Sequence, residues 1–231
     1  MADKIIGILG GVGPWATVDM FKKFLEAVPA NRDQDYPRLL IYCNSKIPDR
    51  NKAIMERGTD PVSALQDTAR ALARGGAEFI VIGSNGTHYY YDAIREAVEI
   101  PVLNMIEETV NFIKGEHRDV SKIGLIAATC TVSQGLYESY FQSTPQQLLM
   151  PQHELQEKVM EAIYEVKVGK LNKPKETLKL VASDLIRKGA GAIICGCTEV
   201  SVGLQQRDLT IPLIDPMEVM AKIAIRLAYE D

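Results

Sequence analysis

The sequence predicts an α/β fold of two pseudo-symmetric lobes, each a short, mainly parallel sheet flanked by helices, with the active site in the cleft between them. Three observations lead to it. Short apolar runs alternate with longer segments of helical periodicity, the pattern of β-α units around a parallel sheet. The order of those runs repeats along the chain. A length of 231 residues at 46% hydrophobic content is enough for one large domain or two small ones with ordinary cores.

Taken in order, the first apolar run is Ile5-Ile6-Gly7-Ile8-Leu9, followed by a helical segment from Trp15 to Ala27. Leu39 to Tyr42 is the second run. The helical stretch Ala64 to Arg74 leads into the third, Phe79 to Ile82, and Pro101-Val102-Leu103 comes next. The same series then resumes with Ile123 to Ile126, a helical stretch Thr177 to Lys188, the run Gly191 to Ile194, and Ile211 to Ile214. Both of these helical stretches close on glycine, which accepts the left-handed backbone of a helix C-terminus.

The repeat is ordered. Lys4 to Gly10 is echoed in Lys122 to Ala127, Arg74 to Ser84 in Lys188 to Cys197, and Glu99 to Asn104 in Thr210 to Asp215, all at nearly one interval. It divides the chain into an N-terminal lobe of 1–98 plus 211–231 and a C-terminal lobe of 99–210. Ligands of open α/β sheets lie outside the carboxyl ends of the strands, where Ser84 and Cys197 both fall. Pseudo-twofold symmetry puts the two on opposite walls of one cleft, which suits a reaction on two faces of one carbon.

A net charge of −4 and a pI near 5.5 leave no basic footprint for nucleic acid. Charged residues interrupt every apolar run short of the ~18 residues that span a bilayer, so no membrane partner is expected. Four cysteines without a signal peptide or paired ligand spacing read as reduced thiols in a cytoplasm. Cys195 and Cys197 alone are too isolated a pair to hold a metal.

Gly10-Gly11-Val12-Gly13-Pro14 opens a helix, and its N–H groups are placed to cradle an anion. As a dinucleotide loop it fails, because Ala16 stands where the third glycine belongs and Asp35 lies in a polar loop. Carboxylate binding or tight packing remains. Cys197, after Gly196 and before Thr198-Glu199, sits where a helix N-terminus is expected to lower a thiol pKa from its reference ~8.5. A buried structural cysteine is the alternative, and Cys195, Cys43 and Cys130 read as packing residues. Arg50, in Ile47-Pro48-Asp49-Arg50, either offers the planar fork that grips a carboxylate or is an ordinary solvated arginine. Lys167 is a second cation, and His88 is either a proton carrier or part of a packed helix start.

Together these motifs resemble the aspartate/glutamate racemase superfamily, most closely archaeal-type aspartate racemases. The similarity runs through Ile6 to Thr17, Ile47 to Arg50, Asn85 to His88, Met105 to Thr109, Gly196 to Val200 and Pro212 to Met217. The resemblance implies a cofactor-independent homodimer with two similar lobes, needing neither metal nor pyridoxal phosphate, and an amino-acid substrate. One cysteine per lobe would move the α-proton. Cys197 would face the L-enantiomer; Asn85, Thr198, Thr129 and Thr131 would hold the α-carboxylate; Arg50 and Lys167 would hold the side-chain carboxylate. Gly11, Gly86, Thr87 and Glu199 belong to the same substrate-binding motifs. The family's first motif reads Pro-Cys-Asn-Thr-Ala-His, whereas this chain reads Gly83-Ser84-Asn85-Gly86-Thr87-His88. A hydroxyl is a far weaker acid and base than a thiol. The expected activity is thiol-mediated racemisation of aspartate or glutamate, biased toward one enantiomer. A weak dicarboxylate-binding protein and a one-cysteine decarboxylase are the alternatives.

Overall fold

The computed structural model describes residues 3–55, 58–170 and 172–230. They form an α/β fold of two compact units, Met1–Glu108 with Met217–Asp231 and Thr109–Pro216.

In the first unit the elements run β1 (Ile6–Gly10), α1 (Pro14–Glu26), β2 (Leu39–Cys43), α2 (Arg50–Met55), α3 (Val62–Arg74), β3 (Phe79–Ile82) and α4 (Tyr91–Arg95). The sheet is parallel in the order β2-β1-β3. Alternation along its strands makes two cores. Ile6, Ile8, Phe79 and Val81 pack on Met20 and Phe24 of α1, while Leu9, Ile80 and Ile82 pack on Leu65, Ala69 and Leu72 of α3. α3 ends at Gly75-Gly76, with Gly76 at φ 95°.

α5 (Met105–Glu116) carries the chain into the second unit. There follow β4 (Lys122–Ala127), α6 (Thr129–Ser133), α7 (Glu138–Phe141), β5 (Gln147–Leu149), α8 (His153–Lys167), α9 (Asn172–Arg187), β6 (Ala192–Gly196), α10 (Thr198–Gly203) and β7 (Leu213–Ile214). This sheet is also parallel, in the order β5-β4-β6-β7. β4 and β6 are central and almost wholly buried, which is why they read as continuous apolar runs. The last helix, α11 (Pro216–Tyr229), returns to the first unit and lays Met217, Met220, Ala221 and Ala224 against Ile6, Ile8 and Phe24.

The repeat in the sequence is a repeat of topology. β1, β2 and β3 answer to β4, β5 and β6, and Val102, which bridges to Ile80, answers to β7 beside β6. The unit boundaries follow Glu108 and Pro216, not residues 98 and 210, because each Pro-led segment pairs with the sheet that precedes it. Pro101 O accepts from the Ile80 N–H at 2.8 Å, and Pro212 O from the Ile193 N–H at 2.9 Å. Among the described residues Pro101-Val102-Leu103 makes an isolated bridge to Ile80 and no longer strand.

Among the described residues no helix is long and apolar enough to cross a membrane.

Candidate functional site

In the first unit the candidate residues collect at the carboxyl ends of β1, β2 and β3. Gly11 and Gly13 have φ of 80° and 125°, and a Cβ on Gly11 would stand 2.2 Å from the Asn44 carbonyl carbon. The Gly11 N–H donates to Thr17 Oγ1 at 2.9 Å, and that hydroxyl donates to Gly13 O at 3.1 Å. The first amide of the loop is therefore turned inward, and close packing accounts for Gly11. Arg50, opening α2, lies on the same loop: Nη2 donates to Val12 O at 2.6 Å and Nη1 to Pro48 O at 3.3 Å.

Ser84, half-buried, follows β3 by way of Gly83. Its N–H donates to Ile82 O at 2.9 Å. Asn85, half-buried Gly86 and Thr87 lead into the 3-10 turn Gly86–Tyr90, which packs on α2; Asn85 and Thr87 are buried. His88 Nδ1 donates to Ser84 O at 2.8 Å, and His88 Nε2 accepts from the Met105 N–H at 3.0 Å. Those partners dictate a neutral imidazole protonated on Nδ1. Burial lowers its pKa to about 4. His88 is a clamp from the Ser84 backbone to the start of α5, with both nitrogens committed, and not a proton carrier.

In the second unit Cys197 follows β6 and caps α10, half-buried, while Thr198 beside it is buried. Cys197 Sγ donates to Glu199 Oε2 at 2.9 Å. Burial pushes the thiol pKa well above its ordinary value, and the charge and hydrogen bond of Glu199 push it further; Lys167 acts in the opposite sense. The expectation that a helix N-terminus lowers it is overturned. α10 has only six residues, and its dipole does not offset desolvation beside a carboxylate. The resting sulfur is a protonated thiol with a proton acceptor in contact. Lys167 ends α8, exposed, with its ammonium 5.5 Å from the centre of the Tyr164 ring.

The β4–α6 turn supplies Thr129, half-buried, and Thr131, buried. Ala127, the last residue of β4, is level with Gly196 in the parallel ladder, so this turn lies beside Cys197. The Thr129 N–H donates to Met160 Sδ at 3.1 Å. A residue missed from the sequence joins them: Gln156 of α8 donates from Nε2 to Ala127 O at 2.9 Å and to Thr129 Oγ1 at 3.3 Å. Its signal was readable, since Gln156, Val159, Ile163 and Val166 share the buried face of α8 at helical spacing. A polar residue in that register needs a polar partner.

Cys195 and Cys130 are buried in packing as expected, whereas Cys43, at the end of edge strand β2, is exposed. Among the described residues no three His, Cys, Asp or Glu side chains gather as a metal would require.

Known proteins resemble the chain over nearly its whole length. The sequence pattern of the Asp/Glu/Hydantoin racemase family matches residues 9–224. The broad specificity amino-acid racemase RacX of Bacillus subtilis (strain 168) is 28% identical over 233 residues, 98% of this chain and 100% of that protein. Among solved structures, the aspartate racemase of Picrophilus torridus matches with a TM-score of 0.90 and 31% identity, covering 97% of this chain and 94% of its own. An aspartate racemase homologue from Pyrococcus horikoshii OT3 matches with a TM-score of 0.80 and 26% identity, covering 99% and 100%.

Proposed function

The chain belongs to the Asp/Glu/hydantoin racemase family of PLP-independent enzymes, and from that premise we propose that it moves the α-proton of aspartate or glutamate through the thiol of Cys197. The observation that carries this reading is the Cys197 Sγ to Glu199 Oε2 hydrogen bond at the end of β6. As an acid, the resting thiol gives its proton to the α-carbanion and becomes a thiolate. As a base, it first passes its proton to Glu199, and the thiolate then takes the proton released when the Cα–H bond breaks. Asn85, Thr129, Thr131 and Thr198 hold the α-carboxylate and the enediolate charge that develops on it, and Arg50 and Lys167 hold the side-chain carboxylate. Gly11, Gly86 and Thr87 shape the substrate-binding loops. Ser84 supplies the other proton transfer poorly, so catalysis is biased toward one enantiomer. We place the enzyme in the cytoplasm, as a homodimer.

Heavy-water exchange tests the reading. The L-enantiomer of aspartate or glutamate should lose its α-proton signal faster than the D-enantiomer, and Cys197→Ala should slow the exchange by about 10²–10⁴-fold. Absence of exchange with all four substrates would sink it. Ser84 favours one other reading, an amino-acid binding protein with negligible turnover. Calorimetric binding without exchange, together with racemisation awakened by Ser84→Cys, would identify that case.

A further inference from the structure

Gln156 is 8% exposed, and its amide is half satisfied. The donor end is spent on Ala127 O and Thr129 Oγ1. Those partners fix the amide's orientation, because turning it over would set its oxygen against a carbonyl oxygen. The acceptor end, Oε1, is buried and has no hydrogen-bond partner among the described residues. Thr131 Oγ1, on the same β4–α6 turn, is buried in the same condition. A buried acceptor without a donor is a standing loss of stability, which a bound group that brings a donor relieves.

The two atoms ask for different chemistry. Thr131 can donate to an anion, whereas a carboxamide oxygen can only accept. Ala127 is level with Gly196, so the turn that carries Thr131 and anchors Gln156 follows the strand beside the one that leads into Cys197, whose substrate on the racemase reading has one strong donor, its α-ammonium group. We infer that Gln156 Oε1 receives the substrate's α-ammonium, while Thr131 Oγ1 donates to the α-carboxylate. Gln156 thereby makes the site selective for α-amino acids over dicarboxylates that lack the amine. The assignment rests on the racemase reading and adds to it the group that recognises nitrogen.

The ammonium is more than a handle. A positive charge held beside Cα lowers the energy of the carbanion that forms there, and a fixed acceptor keeps it in place. Gln156→Met, similar in length and without the acceptor, should therefore weaken both binding and turnover of the amino acid.

The test compares aspartate with malate and succinate by calorimetry. Malate keeps a hydroxyl donor at the same carbon, and succinate has none. The wild-type protein should bind in the order aspartate, malate, succinate. Gln156→Met should lose about 10–100-fold in aspartate affinity, with succinate changed by less than about threefold. An equal loss for both ligands would make Gln156 a packing residue and overturn the inference, as would unchanged aspartate affinity. Should the variant not fold, as judged by its thermal melt, the wild-type order decides: succinate binding as tightly as aspartate overturns the assignment. If the wild-type protein binds none of the three and exchanges no α-proton, the racemase reading has failed. α-Proton exchange with succinate bound as tightly as aspartate sinks only the role of Gln156.

Discussion

Cys197 and Glu199 form a pair whose charge state follows from burial. The carboxylate two residues along raises the thiol pKa by its negative charge and by accepting the S–H, and Lys167 opposes it. Opposite shifts are expected from the two neighbours. Glu199→Gln removes the charge that disfavours thiolate, so the midpoint of alkylation by iodoacetamide against pH should move down, and Lys167→Ala should move it up. A midpoint unmoved by either change would mean desolvation alone sets the thiol. At this scale the sequence pointed to Cys197 through its repeat position and to Glu199 as a neighbour. It led to the wrong sign for the thiol shift, because the sign depends on how much water the folded chain leaves around the sulfur. Likewise the sequence leaves His88 open between proton carrier and packing, and in the fold two backbone groups, at Ser84 and Met105, occupy both its nitrogens.

The strands were legible because β1, β3, β4 and β6 lie inside parallel sheets and must be apolar on both faces. Helix ends were legible where glycine closes them. β5 left no comparable signal, as three residues at a sheet edge are only half covered. The loop after β1 shows how similar glycines differ in worth. Gly11 and Gly76 both have positive φ, but a Cβ on Gly11 meets Asn44 backbone while nothing lies within 4 Å of one on Gly76. Gly76→Ala should cost about 1–2 kcal/mol, the backbone strain alone. Gly11→Ala should cost several kcal/mol, since main chain must also move, and urea unfolding of the two variants measures the difference. Equal losses would show that the β1–α1 loop relaxes freely.

At the scale of the molecule, the first unit is closed by a helix from the far end of the chain. α11 buries Met217, Met220, Ala221 and Ala224 against β1 and α1, and Ala228 O accepts from the Lys4 N–H at 2.9 Å. A chain ending at Pro216 should therefore lose amide-exchange protection in β1 and β3 while β4 and β6 keep theirs. Protection retained in β1 would show that α11 is dispensable. What the sequence determined by itself was the class of fold, its internal duplication and the strand-end positions of Ser84 and Cys197, because apolar period and glycine placement are local properties of the chain. What only the tertiary structure decided was which segment pairs with which sheet, the protonated state of Cys197, and the half-satisfied amide of Gln156. Each of these depends on groups brought together from distant parts of the chain, and on the water that their packing removes.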